Sequence, residues 1–148
     1  MMRNIFWWGT TPDENPWSNI GLLILRVFTG LSMALAHGWG KLMNPGGITE
    51  GVTNMGFPMP GVFAWAAIIS EFFGGILIAM GLLTRPASLF LTITMVVAAF
   101  IRHADDPFSR KEKALLYAAI CLFLVMKGAG TYSLDQAISR RMDGGADQ

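Results

Sequence analysis

Four apolar runs, separated by short polar or Pro/Gly-containing stretches, set the pattern of the chain. From Ser18 to Lys41 it reads SNIGLLILRVFTGLSMALAHGWGK, long enough for the roughly 20 apolar residues a helix needs to cross a bilayer core. Pro60 to Leu83, PGVFAWAAIISEFFGGILIAMGLL, is a second such run with a single charge, Glu71, near its centre. Pro86 to Ile101, PASLFLTITMVVAAFI, comes after the break Thr84-Arg85-Pro86, where proline suits the first turn of a helix. Ala114 to Met126, ALLYAAICLFLVM, has only 13 apolar residues and needs its polar flanks to reach both interfaces. The pattern predicts helices over 20–41, 60–83, 86–102 and 112–127, and then a short, partly disordered terminus whose polar tail covers 139–148.

The first three runs are apolar on every side, whereas helices of a soluble bundle keep a polar face. The resulting fold class is all-α, an integral membrane four-helix transmembrane bundle forming one domain over 1–148. Composition agrees: 53% of residues are hydrophobic and 14% charged, against about 25% charged in soluble domains. Eleven Lys+Arg against ten Asp+Glu leave a net charge of +1, which gives no dense basic face for nucleic acid. The lone cysteine, Cys121, excludes an intrachain disulfide and any CxxC pattern. Trp7, Trp8 and Trp17 before the first run and Trp39 at its far end fit the aromatic belts of a membrane interface. The N-terminus has no basic region leading into an apolar stretch, so it does not read as a signal peptide. Charge gives no orientation: Arg3, Arg85, Lys127, Arg140 and Arg141 on one side balance Lys41, Arg102, Arg110, Lys111 and Lys113 on the other.

Ionisable groups inside spans are costly and mark candidate sites, which singles out Arg26, His37, Glu71, Arg102, His103 and Glu112. Arg26 and His37 are eleven residues apart, three helical turns plus about 20°, so a regular helix puts them on one stripe that Lys41 extends. Ala64, Ala67, Glu71, Gly74, Gly75 and Ile78 share a small-residue face of the second span, the kind that lets membrane helices approach closely. Thr92, Val96, Ala99 and His103 share a face of the third. Depths of about 9 Å for Arg26 and about 15 Å for Glu71 from one interface predict a buried Arg26–Glu71 ion pair. His37, Lys41, Arg102, His103 and Glu112 would collect as a polar mouth at the opposite interface. Competing readings are an Arg26 that snorkels to its interface, a His37 that caps a helix, and a solvated loop for Arg102, Arg110, Lys111 and Lys113. No HxxxH or ExxH spacing is present, so no metal is expected. Cys121 and the scattered methionines read as packing residues.

Taken in order, RVFTGLSMALAHGWGKL, GFPMP, SEFFGGILIAMGLLTRPA, a third run ending in RH, EKALLY and YSLD resemble the DoxX-like membrane proteins over residues 18–138. The resemblance implies a multi-pass four-span bundle in the bacterial cytoplasmic (inner) membrane with both termini in the cytoplasm. It implies Arg26, His37, Lys41, Gly56, Pro58, Glu71, Arg85 and His103 as motif positions. A related branch, the DoxD-type proteins, supplies a membrane subunit of a thiosulfate:quinone oxidoreductase, and some members are tied to oxidative or sulfur stress. The expectation is therefore a subunit of a membrane redox complex rather than a self-sufficient enzyme. Its polar site would be drawn from Arg26, His37, Lys41, Glu71, His103 and Glu112, with a quinone as the cofactor it would take. Expected partners are the lipid bilayer, redox proteins and a second copy of the chain. Two other classes stay open: a non-catalytic scaffold whose polar residues fix helix register, and a small-solute or proton transport element that titrates Glu71.

Overall fold

A computed structural model describes residues 15–144 of the chain and is helical throughout its regular structure, with no strand among those residues. Helix α1 runs Pro16–Met43, α2 Pro45–Asn54, α3 Pro60–Met80, α4 Thr84–Arg102, α5 Phe108–Lys127 and α6 Leu134–Gly144. Trp7, Trp8 and Arg3, and positions 145–148 of the tail, lie outside the described residues.

Helix starts reflect local chemistry. Asn15 Oδ1 accepts a hydrogen bond from Trp17 N at 3.0 Å with Pro16 opening α1, and Asn44 Oδ1 accepts from Gly47 N at 3.1 Å with Pro45 opening α2. Helix α3 ends at Gly81 in the left-handed region, φ 69°, where Gly81 N bonds Ile78 O and Leu82 N bonds Leu77 O. That is the Schellman arrangement, which glycine adopts without steric cost.

Helices α1, α3 and α4 are long and apolar enough to cross a membrane. The expected count of four is matched only to that extent: α5 has 20 residues, and its early turns carry Arg110, Lys111, Glu112 and Lys113. The molecule is also inside out relative to a soluble bundle. Phe28, Leu35, Val62 and Phe100 stand on the outer surface at 60–70% exposure, while Arg26, Ser70, Glu71, Thr84 and Ser88 are buried. An apolar exterior over a polar interior is what hydrocarbon as solvent requires. Trp17 and Trp39 stand exposed near the two ends of α1, as interface anchors would.

The central seam joins α1 to α3 through small residues. A Cβ on Gly75 would come within 2.7 Å of Gly30 O, and one on Gly38 within 2.5 Å of Phe72 N. Backbones this close need a small residue at the contact, and Gly30, Ala34 and Gly38 recur every fourth residue along α1 to provide it. The buried face of α4 is Ala87, Ser88, Leu91, Met95 and Ala99. This corrects the expected face through Thr92 and Val96, since Val96 is 42% exposed.

Two helices fall where none was expected. Helix α2 occupies the Gly-rich connector after α1, and its Thr49 and Thr53 hydroxyls bond back to Pro45 O and Thr49 O. Helix α6 occupies the C-terminal stretch expected to be partly disordered. Ser133 Oγ accepts from Gln136 N at its start, and Asp135 fastens it to the bundle by accepting from Leu83 N at 2.8 Å and Thr84 N at 3.0 Å.

Candidate functional site

Each of the three spanning helices carries one π-helical turn: Met33–Gly38 within α1, Ile69–Phe73 within α3 and Ala98–Arg102 at the end of α4. A π turn inserts one extra residue into the helical repeat, so everything beyond it is rotated by roughly 100° relative to a regular helix. His37 lies inside the first such turn, Glu71 inside the second, and His103 comes directly after the third. All three border one cavity of about 140 Å³ between α1, α3, α4 and α5.

At the cavity wall Glu71 is 1% exposed. Its Oε1 accepts a hydrogen bond from Lys41 Nζ in a salt bridge, while Oε2 is buried without a hydrogen-bond partner. The His37 ring meets the Tyr117 ring edge to face, with centroids 5.7 Å apart. At the rim, His103 Nδ1 and Asp106 Oδ2 are 2.6 Å apart, and Arg110 Nη1 donates to Asp106 Oδ1 at 3.2 Å. The His103 hydrogen bond, aided by the Arg110 charge, holds the Asp106 carboxyl below its ordinary range. Met33, Met95, Ala98 and Ala114 complete an apolar lining, and Lys113 joins Arg110 at the rim.

Of the residues the sequence proposed, His37, Lys41, Glu71 and His103 come together here. Arg26 does not, and its expected pairing with Glu71 is corrected by the structure. Its Nη2 donates to Tyr132 O at 2.7 Å, and Asp135 is the acidic group within its electrostatic reach. The reason is directional: helical side chains lean towards the N-terminus of their helix. Arg26 therefore runs away from the cavity towards the end that the C-terminal segment covers. Lys41, from the far end of α1, leans back into the bundle and takes the carboxylate instead. Glu112 is exposed on α5 and lies off the cavity, as does Arg102.

Sequence reasoning missed Arg110 and Lys113, which it read as a solvated loop, and Tyr117, which it did not single out. Their spacing of three and four residues on one helix face was the available signal. No group of three or more metal-ligating side chains occurs among the described residues.

Spanning helices that are apolar outside and polar within, around a buried carboxylate, define a multi-pass membrane protein with an internal polar site. The chain belongs to the DoxX family, whose model matches residues 21–104. It is similar to the inner membrane protein YqjF of Escherichia coli (strain K12), 29% identical over 129 residues that cover 83% of this chain and 95% of that one. It is also similar to the inner membrane protein YphA of the same organism, 32% identical over 124 residues, or 78% and 88% of the two chains. A third relative, named "Putative oxidoreductase CatD", from Bacillus subtilis (strain 168), is 30% identical over 117 residues, 78% and 85% of the two chains. No solved structure matches the chain. With these relatives and its three apolar helices, it is a multi-pass protein of the cytoplasmic membrane.

Proposed function

We propose that this protein is the membrane subunit of a redox complex and that its His37–Glu71 cavity seats the head group of a quinone or of a similar aromatic reductant. The observation that carries the reading is Glu71: a carboxylate buried at mid-helix, held by Lys41 at one oxygen and unpartnered at the other, on the wall of a cavity. A buried acceptor left without a donor costs about 1–3 kcal/mol, a penalty that a ligand O–H or N–H removes. The size is suitable, because a dry cavity of about 150 Å³ accommodates benzene and this one measures about 140 Å³. The lining matches the pattern of small-molecule sites, an apolar slot from Met33, Met95, Ala98 and Ala114 with a few convergent polar groups.

When bound, a quinone supplies two-electron, two-proton chemistry. The chain's own part is to seat the ring between the thioethers of Met33 and Met95, orient it through His37 and Lys41, and accept at Glu71 Oε2 a proton that the ring hydroxyl releases. Electrons pass to a partner redox protein. The oxidoreductase name of the B. subtilis relative supports the same reading. Helix α5 serves as the fourth crossing, with Arg110 and Lys113 at the membrane surface where the cavity opens.

Mass spectrometry of solvent extracts from gently purified protein tests this, wild type beside Glu71→Gln. A quinone or other aromatic molecule is expected with the wild type and reduced about tenfold in the variant, equivalent to about 1.4 kcal/mol. If neither preparation carries an aromatic molecule and the variant is only less stable, the chain is a scaffold whose Lys41–Glu71 pair fixes helix register.

A further inference from the structure

We infer that the cavity takes an aromatic acid: a single ring whose carboxylate rests at the basic mouth between Arg110 and Lys113, while the ring enters the slot beneath. This rests on the aromatic head-group reading above and adds the chemical class of the molecule that carries the ring.

Charge is unevenly placed along the depth of the cavity. Of the described side chains that line it, Arg110 and Lys113 alone are exposed, whereas Met33, Met95, Ala98 and Ala114 are buried or half-buried. A ligand entering from outside therefore passes two cations, and no exposed apolar side chain frames the opening for the tail of a lipid-soluble quinone. Helix α5 sets this order. Lys113 and Tyr117 are four residues apart and both line the cavity, about 6 Å along the helix axis. The helix so offers a cation at the mouth and an aromatic ring one turn further in.

Pairing leaves one positive charge over. Lys41 is matched by Glu71, and Arg110 Nη1 by Asp106, which His103 shares. Lys113 is in no salt bridge among the described residues, yet its ammonium lies within electrostatic reach of the His37 ring. A cation that its own fold leaves unmatched at a cleft attracts an anion, and low-dielectric walls focus its field on the opening. Arg110 spends one nitrogen on Asp106, and a guanidinium carries five donors, so it can share a ligand carboxylate with Lys113. The buried end differs. Glu71 Oε2 stands there without a partner, and Lys41 is already held by the same residue. A ligand carboxylate at that end would face a like charge, which turns the acid group outward.

The test compares 4-hydroxybenzoate with 4-hydroxybenzamide, the same ring and hydroxyl with a neutral amide in place of the carboxylate. Both are titrated into the whole protein in phosphatidylcholine nanodiscs, and into empty nanodiscs to correct for partitioning. At low salt the wild type is expected to bind the acid at least about fivefold more tightly, a margin of about 1 kcal/mol. The preference is expected to shrink at about 1 M salt, where the Debye length falls to about 3 Å. Lys113→Gln is expected to bring the acid close to the affinity of the amide and to leave amide binding unchanged, a sign that the ring slot is intact. Glu112→Gln, at an exposed neighbour off the cavity, is expected to keep the preference. Equal binding of acid and amide to the wild type overturns the inference while leaving the aromatic site in place, as does a preference that survives Lys113→Gln and Arg110→Gln together. Binding of neither overturns the aromatic reading itself, and the inference falls with it.

Discussion

Lys41 and Arg26 belong to one helix, lean in one direction, and end in opposite roles because of what lies beneath each. Lys41 leans towards the middle of the bundle and meets Glu71, whereas Arg26, itself buried, leans towards its covered end and meets the carbonyl of Tyr132. At the cavity rim the residue with a measurable signature is Asp106. Its pKa is depressed by the His103 hydrogen bond first and by Arg110 after it, so the contact favours the folded state above the ordinary aspartate value of about 3.9. That contribution is lost as the pH falls through the lower folded value. Carboxyl-carbon NMR titration in micelles should give an Asp106 midpoint below about 3.9 that returns towards it in His103→Ala. An unchanged midpoint in the variant would remove His103 as the cause. Glu71 stood out in the sequence because a charge in mid-span is conspicuous. Its partner was not legible: depth along the helices favoured Arg26 over Lys41, and the direction of side-chain lean, rather than spacing, decides between them.

The α1–α3 seam is where a single carbon atom has the largest expected effect. Gly38→Ala would bring its Cβ to 2.5 Å from Phe72 N and 2.6 Å from Phe72 Cα, backbone atoms that cannot step aside. A loss of at least about 2 kcal/mol is expected. Gly40→Ala, two residues on with nothing within 4 Å of the added carbon, should be neutral or stabilising by up to about 1 kcal/mol. Detergent-denaturant unfolding of the two variants checks the contrast, and equal stabilities would rule out so close an approach of the two backbones. The long apolar helices were legible because twenty-odd apolar residues have few other fates. The three π turns were not: an inserted residue leaves the apolar run unbroken and only rotates the turns beyond it, which is why the expected Arg26–His37 stripe does not survive. The Val96 face fails for a simpler reason, because Ser88, Leu91, Met95 and Ala99 form the buried stripe at regular helical spacing and Val96 lies one position round from it. Helices α2 and α6 were hidden for a different reason. Their sequences are polar or glycine-rich, and α6 is held in place by Asp135 bonds to Leu83 N and Thr84 N, a contact across the fold that no local pattern encodes.

At the scale of the molecule, the membrane face and the site are two sides of one arrangement: the helices turn apolar surfaces outward and gather their polar side chains within. The number of crossings is the testable part. With α5 as a fourth crossing, the α4–α5 turn and the C-terminal helix lie on opposite sides of the membrane. Single cysteines at Ser109 and Arg140, both exposed and introduced beside Cys121→Ser, should therefore react with an impermeant maleimide from opposite faces in intact spheroplasts and inverted vesicles. Labelling of both from one face would reduce the bundle to three crossings. The Arg26–Tyr132 bond also bears on how the chain is made. The two residues are 106 positions apart, about 5–20 s of synthesis at about 5–20 residues per second. For that interval the first span carries a guanidinium whose carbonyl has not yet left the ribosome. A chain that stops short of Tyr132 never receives it, and such a truncated product displays a misplaced charge within the bilayer by which quality control can tell it from a finished one.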